Sequence, residues 1–171
     1  DRINELILDK DFKLICKISN EFNLFRILRS ESNELKHSNV LAWLLNPNEN
    51  HGLSSKFLEE FVFTIIPKYH IEDANFESLY LLDYQNVEIR REWKRIDILI
   101  IIKSRGTRKN LVIPIENKIK ANESKTQLSD YYKICNEVFN KKCNCIVPIF
   151  LTPDGTNPSD NNIDTWNVCS Y

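Results

Sequence analysis

Three charged residues lie inside two apolar segments of the sequence. Asp97 is in the β-branched run Ile96 to Ile102, and Glu116 and Lys118 are in the run Leu111 to Ile119. Side chains alternate along a strand, so Glu116 and Lys118 project from one face, about 6.6 Å apart along the strand at about 3.3 Å per residue. Pairing the two runs as a hairpin would bring Asp97 beside them.

An ionised side chain on a buried strand face needs a partner, because an unpartnered charge there costs several kcal/mol. Two converging carboxylates provide oxygen ligands for a hard divalent cation such as Mg²⁺, and an adjacent lysine can position or deprotonate water. Two carboxylates, a divalent cation and a lysine are groups suited to phosphodiester hydrolysis. The alternative is a structural ion-pair cluster of Asp97, Glu116 and Lys118 at the strand ends, and spacing alone leaves both open.

Helical periodicity dominates the N-terminal third of the chain. Apolar residues at helical spacing predict one long or broken helix in the first 30 residues. A second helix is capped by Asn33 and ends at Asn46 and Pro47. A third runs from about Leu53 to Ile66, where Pro67 ends it.

The period then changes to that of strands. Alternation from Val87 to Trp93 predicts a strand that forms a three-strand meander with the two apolar runs. An amphipathic helix follows from Glu123 onward, and Cys145 to Leu151 predicts a further strand, stopped by Pro153. The predicted fold class is α/β, with a mixed four-stranded sheet flanked by helices.

Length and composition fit one globular domain. The chain has 171 residues, of which 42% are hydrophobic and 27% charged. We expect a single domain over 1–171, with a helical part at 1–67 and a core at about 87–151. The last residues complete no predicted helix or strand, so we expect a piece of a longer protein, shortened at its C-terminus.

The apolar runs and the cysteines bear on the compartment. No apolar run approaches the roughly 20 residues of a membrane helix, and the first residues do not have the pattern of a signal peptide. The five cysteines are odd in number and lack the paired spacing of a zinc site. We therefore expect reduced thiols in a cytoplasmic protein without membrane association.

Positive charge is concentrated in one window. Residues 90–125 hold 11 Lys or Arg against 4 Asp or Glu, a balance of +7, whereas the remainder holds 12 against 20, a balance of −8. Such a window suits phosphate contacts, although a solvated basic face explains it about as well.

Four sequence blocks, in this order, resemble the PD-(D/E)XK nuclease superfamily, and in particular a bacterial and phage branch of it. The superfamily core is a helix, a three-strand meander, a helix and a strand, which is the predicted order here. The blocks are 33–47 with His51-Gly52, 95–100, 115–119 and 127–131. Ile96 replaces the proline of the family name, as in many active members.

The resemblance implies a role for each matching residue. Asp97 and Glu116 would bind Mg²⁺ or Mn²⁺, with the backbone carbonyl of Asn117 as a further ligand, and Lys118 would orient the attacking water. Glu34 would complete the metal shell, or it is an ordinary first-turn acid. Gln127 and Tyr131 match a helix motif that borders the site in related nucleases; on spacing alone they could equally be structural.

Further residues are candidates for contacts with nucleic acid. His37 lies one turn after Glu34 and could touch the site or a phosphate, but a helix-packing role is at least as well supported. A zinc pair of His37 and His51 lacks supporting cysteines. The candidates for contact with nucleic acid are Arg95, Lys103, Arg105, Arg108, Lys109, Lys120 and Tyr131.

The expected function is a metal-dependent nuclease, acting on DNA rather than RNA as an endonuclease, by attack of a metal-activated water. The alternative is a binding module on the same fold that does not cut, or a structural domain of a larger restriction or defence protein. A role in phage defence is expected by analogy alone. The sequence leaves a homodimer open.

Overall fold

The computed structural model describes residues 8–19, 23–69, 76–106, 109–120, 126–139, 144–158 and 165–171. The chain divides into two compact units, Asp1–Ser32 and Asn33–Tyr171. The expectation of one domain over the whole chain stays a prediction.

The first unit contains helices α1 (Lys10–Ser19) and α2 (Leu24–Ile27). Asp9 Oδ1 accepts a hydrogen bond from Phe12 N at 2.9 Å, and Asn23 Oδ1 accepts from Arg26 N at 3.0 Å. Side-chain oxygens at these positions satisfy N–H groups that a first helical turn leaves without partners. The described part of this segment therefore follows the broken-helix form of the prediction.

Helices α3 and α4 follow the sequence signals in the second unit. Helix α3 (Glu34–Leu45) begins after Asn33, whose Oδ1 accepts from Lys36 N at 3.0 Å. Helix α4 (Lys56–Ile65) begins three residues after the predicted Leu53. A 3₁₀ turn (Ile66–Tyr69) continues it, and a short helix α5 (Phe76–Tyr80), which the sequence patterns did not predict, precedes the sheet.

A mixed sheet forms the centre of this unit. Its strands run in the order β1-β2-β3-β5-β6, and β4 also pairs with β3. The first three strands are the predicted antiparallel meander, whereas the later pairings are parallel. The strands are β1 (Leu82–Trp93), β2 (Ile96–Ser104), β3 (Asn110–Asn117), β4 (Asn144–Ile146), β5 (Ile149–Thr152) and β6 (Asn167–Ser170).

The predicted number of strands, four, is wrong: the described residues form six. The predicted strand Cys145 to Leu151 divides into β4 and β5 around Pro148, whose ring nitrogen cannot donate to a neighbouring strand. Strand β6 is short and has only Val168 and Cys169 as apolar residues, so it gives no periodic signal. Helix α6 (Gln127–Val138) lies between β3 and β4, as predicted.

Alternate residues of the central strands enter different clusters. Ile98 and Ile100 pack in one buried cluster with Leu58 and Val62 of α4, whereas Leu99 belongs to a second. A third cluster buries one face of α6 against the sheet, with Leu128, Tyr131, Cys135, Phe150 and Trp166. The central strands are therefore covered by helices and are apolar along most of their length.

Cys135 is a free thiol, and Cys135, Cys145 and Cys169 are all buried. None of the helices in the described ranges has both the length and the apolar character needed to cross a membrane.

Candidate active site

The carboxylates of Asp97 and Glu116 lie at neighbouring strand ends. Ile98 lies opposite Ile115 in the register of β2 and β3, and one further pair brings Asp97 opposite Glu116. Opposite residues of antiparallel strands share a face, with Cβ atoms about 5 Å apart. Asp97 Oδ2 also accepts a hydrogen bond from Asn117 N at 2.8 Å. The hairpin therefore brings the two acids together, as the sequence predicted.

Glu116 is an almost fully buried carboxylate whose two oxygens have different surroundings. Its side chain is 2% exposed, and Oε1 lies 3.0 Å from Lys118 Nζ. The same oxygen accepts from Gln127 Nε2 at 2.7 Å. Glu116 Oε2 is buried and has no hydrogen-bond partner among the described residues. A buried acceptor of this kind is suited to a bound water or cation.

Lys118 connects the sheet to the start of α3. Its Nζ lies 3.7 Å from Glu34 Oε2, and its backbone N donates to Leu151 O at 2.8 Å. Glu34 Oε1 accepts from Ile119 N at 3.0 Å and, more weakly, from Lys120 N at 3.4 Å. Glu34 therefore holds the chain that follows β3, in addition to pairing with Lys118.

Helix α6 contributes the predicted Gln127 and Tyr131. Gln127 Nε2 donates to Tyr131 Oη at 3.1 Å as well as to Glu116. Tyr131 is 8% exposed and belongs to an apolar cluster, so its ring is part of the core and its hydroxyl part of the site. The spacing of four residues brings both polar ends to one helix face.

Burial governs the ionisation of these groups. Burial first, and then repulsion from Asp97, raises the pKa of Glu116 to about 7. Burial also raises the pKa of Asp97, against the hydrogen bond from Asn117 N. Burial alone would lower the pKa of Lys118, but Glu116 and Glu34 outweigh it, and that pKa lies above its ordinary value. The lysine therefore stays protonated at neutral pH, and a cation near both acids would favour their ionised forms.

Two residues that the sequence did not single out contact the strand end. Asn117 Nδ2 donates to Ser38 Oγ at 2.9 Å, and Tyr171 Oη donates to Asn117 Oδ1 at 2.6 Å. Ser38 lies one helical turn after Glu34 on α3, a spacing that could have identified it. Tyr171 follows β6, and because β6 gives no signal, nothing in the sequence pattern predicts its contact.

The donor set fits a hard divalent cation only in part. Asp97 and Glu116 provide oxygen ligands, and Glu116 Oε2, which accepts no hydrogen bond from any residue of described position, is a ready donor atom. Across the described ranges, however, no group of three or more His, Cys, Asp or Glu side chains is arranged to hold a metal ion. Glu34 instead contacts Lys118 and the backbone at Ile119. A third carboxylate ligand stays a prediction.

The predicted basic residues divide into two groups. Arg95 lines a cleft of about 660 Å³ together with Gln127 and Tyr131. Lys120 is exposed and lies beside Glu34. These two residues are therefore close to the strand ends that hold the acids.

The hairpin-loop residues lie elsewhere. Strand β2 runs from Ile96 to Ser104, so its loop is at the end opposite Asp97, about 20 Å away at about 3.3 Å per residue. Arg105 pairs there with Asp83 at 3.0 Å. The structure thus does not bring Lys103, Arg105 or Lys109 to the acids, because the hairpin loop and the acid pair occupy opposite strand ends. Arg108 lies outside the described residues.

The two predicted histidines have different surroundings. His37 is half-buried, and its ring lies 6.4 Å from that of Tyr171 in an edge arrangement. His51 Nδ1 accepts from Leu53 N at 3.0 Å, so Nε2 carries the proton and donates to Asn46 O at 2.9 Å. His51 is therefore a turn residue with both ring nitrogens used. No described cluster supports the zinc alternative.

The mixed sheet flanked by helices is consistent with a restriction-endonuclease-like fold. A family model described as PD-(D/E)XK nuclease superfamily matches residues 22–171. The match covers most of the chain, and the protein therefore belongs to the PD-(D/E)XK nuclease superfamily, whose members generally use divalent metals such as Mg²⁺ or Mn²⁺. Comparison with curated proteins and with solved structures gives no match.

Proposed function

We propose that this protein is a Mg²⁺- or Mn²⁺-dependent nuclease that hydrolyses phosphodiester bonds, with DNA as substrate and endonucleolytic cleavage as the mode. The observation that carries the proposal is the buried carboxylate of Glu116, which lies opposite Asp97 in the sheet and whose Oε2 has no hydrogen-bond partner among the described residues. An apolar sheet rarely keeps such an acid without a ligand. Membership of a nuclease superfamily supports the same conclusion.

Asp97 and Glu116 are the proposed metal ligands, and the backbone carbonyl of Asn117 is a further one. When bound, Mg²⁺ or Mn²⁺ supplies Lewis-acid polarisation of the phosphate and activation of water. As an additional ligand, Glu34 would use Oε2, which lies 3.7 Å from Lys118 Nζ, because Oε1 accepts from Ile119 N. In the observed position it contributes by holding Lys118 and the chain after β3.

Lys118 is the proposed group that orients the attacking water. Its pKa lies above the ordinary value, so at neutral pH it is a hydrogen-bond donor and not a base. A protonated lysine beside the acids can hold the water oxygen and offset negative charge that develops on the phosphate. Gln127 fixes the carboxylate of Glu116 through Oε1 and leaves Oε2 for the ligand.

Arg95 and Lys120 are the proposed phosphate contacts, because they are the predicted cations closest to the acid pair. Such contacts bind the backbone of either DNA or RNA, so the preference for DNA is an inference from the superfamily. The buried free thiol of Cys135 supports a reducing compartment, and we propose the cytoplasm. A part in phage defence rests on analogy, and a homodimer that cuts both strands is an extension of the proposal.

The experiment is an incubation of the purified protein with supercoiled plasmid, single-stranded DNA and RNA, each with Mg²⁺, Mn²⁺ or EDTA. We expect the plasmid to be nicked or linearised with either metal and to stay intact with EDTA. Cleavage of RNA alone would contradict the DNA assignment. Salt-sensitive DNA binding without cleavage of any substrate would reject the nuclease proposal in favour of a binding module.

A further inference from the structure

Asn117 is a fully buried polar residue between two proposed functional residues. It follows Glu116 and precedes Lys118, and its side chain has no exposed surface. Its backbone N donates to Asp97 Oδ2 at 2.8 Å, which ties it to the neighbouring strand. Successive strand side chains point to opposite faces, so the Asn117 side chain lies on the face opposite Glu116.

Two separate elements hold that side chain on its own face of the sheet. Ser38 Oγ on α3 accepts from Asn117 Nδ2 at 2.9 Å, and Tyr171 Oη after β6 donates to Asn117 Oδ1 at 2.6 Å. Ser38 is also fully buried, and Tyr171 N donates to Thr152 O at 3.2 Å, which fixes the end of β6 on β5. The side-chain amide therefore has a partner on both its oxygen and its nitrogen.

We propose that Ser38 and Tyr171 are positioning residues that act through Asn117 to fix the end of β3, and with it Glu116 and Lys118, relative to Asp97. This inference rests on the proposed function. The reason is geometric: Asn117 is joined by peptide bonds to Glu116 and Lys118, so a rotation of its backbone displaces both of these residues. Three hydrogen bonds from three elements oppose that rotation, and orientation errors of about 1 Å are costly in hydrolytic sites.

Tyr171 gives the cleaner test, because the residue is 56% exposed and its contribution to the apolar core is correspondingly small. The Tyr171→Phe substitution removes only the hydroxyl and leaves Asn117 Oδ1 without that donor. Tyr84→Phe is the matched control: Tyr84 Oη donates to Leu79 O at 3.1 Å in a buried setting, near the start of β1 and away from the acids. Ser38→Ala removes the second partner of Asn117 independently.

The measurements are kcat and KM for plasmid cleavage, the Kd for Mn²⁺ by electron paramagnetic resonance titration, and the thermal unfolding midpoint. We expect Tyr171→Phe and Ser38→Ala to lower kcat or weaken Mn²⁺ binding by about 10- to 100-fold, the range typical of groups that orient ligands. KM for DNA should change by less than about twofold. Tyr84→Phe should lower the midpoint without changing kcat or the Kd.

The proposal is overturned if Tyr171→Phe changes kcat and the Mn²⁺ Kd no more than Tyr84→Phe does at an equal loss of thermal stability. If the wild-type protein cuts no substrate, the proposed function fails separately, and the Mn²⁺ Kd decides the positioning role. In that case a weaker Kd in both Tyr171→Phe and Ser38→Ala supports it. An unchanged Kd, or a wild-type protein that does not bind Mn²⁺, rejects it.

Discussion

Gln127 Nε2 donates a hydrogen bond of 2.7 Å to Glu116 Oε1, joining the first turn of α6 to the end of β3. The bond holds the carboxylate in one orientation and leaves Oε2 without a hydrogen-bond partner in the part of the chain that the structure describes. The amide thus selects which oxygen of Glu116 is available to a ligand. A helix that packs on the sheet through apolar residues contributes in this way to the chemistry at the strand end.

Substitution of Gln127 by Ala should therefore lower cleavage activity by about 10- to 100-fold, because Glu116 loses the group that orients it. The protein should stay folded, since Leu128 and Cys135 still anchor α6. Initial rates of plasmid nicking measure the effect. Gln85→Ala is the control, because Gln85 donates to Ser55 Oγ at 2.8 Å far from the acids. Equal rates for the two variants would contradict the assigned role.

Glu116→Gln should stabilise the metal-free protein above neutral pH while abolishing activity. The pKa of Glu116 is raised to about 7, so the folded state binds this proton more tightly than the unfolded state does. The free energy of unfolding of the wild type therefore falls as pH rises from about 4.5 to about 7 and is then level. The neutral amide of Glu116→Gln does not titrate, so its free energy of unfolding does not fall in this way. Relative to the wild type, the variant should gain up to about 3 kcal/mol of stability at pH 8 and almost none at pH 4.

Urea unfolding in EDTA at both pH values measures the Glu116→Gln effect, with the exposed Glu49→Gln as a control for removal of one negative charge. If the free energies of unfolding of wild type and Glu116→Gln differ by the same amount at pH 4 and pH 8, then burial and repulsion do not raise the pKa of Glu116, and the prediction is wrong. Added Mg²⁺ should stabilise the wild type and not Glu116→Gln, because the cation binds only the folded protein with its acid pair.

The two groups of basic residues should differ in DNA binding. Arg95→Ala with Lys120→Ala should weaken binding and lower the slope of log Kd against log salt by about 1 to 2, since each lost phosphate contact removes about 0.9. Lys103→Ala with Arg105→Ala should change neither by a comparable amount, because these side chains lie about 20 Å from the acids. Fluorescence anisotropy of labelled DNA in EDTA at several salt concentrations measures both. A larger loss of DNA affinity in Lys103→Ala with Arg105→Ala would indicate that DNA binds at the hairpin loop instead.

Most of the elements that position the acids could be predicted from the sequence. Alternation and β-branched runs identify the meander because its strands are long, and the cap at Asn33 defines the start of α3. Chemistry marks Asp97, Glu116 and Lys118 because charge is conspicuous in an apolar strand. Gln127 is predicted because one helix face also carries Tyr131.

The remaining features depend on long-range packing that no local pattern records. Strand β6 is four residues long and forms only because β5 offers an edge, so Tyr171 and its bond to Asn117 could not be predicted. The hairpin loop extends from the ends of β2 and β3 that lie away from the acids. The position of a residue along β2 determines its distance from the acids, and a count of charges contains no such information. Lys103 and Arg105 therefore lie at the far end of the hairpin.

Single-turnover cleavage of supercoiled plasmid in Mn²⁺ tests most directly whether the protein is a nuclease that uses Lys118. The wild type is compared with Lys118→Ala, and Lys56→Ala is the control at an exposed lysine on α4. Lys118 Nζ lies 3.0 Å from Glu116 Oε1 and 3.7 Å from Glu34 Oε2, so its loss removes the cation that is proposed to orient the water. We expect metal-dependent cleavage by wild type and Lys56→Ala and a loss of at least about 1,000-fold in Lys118→Ala, comparable to loss of a transition-state hydrogen-bond donor. Undiminished cleavage by folded Lys118→Ala would contradict it.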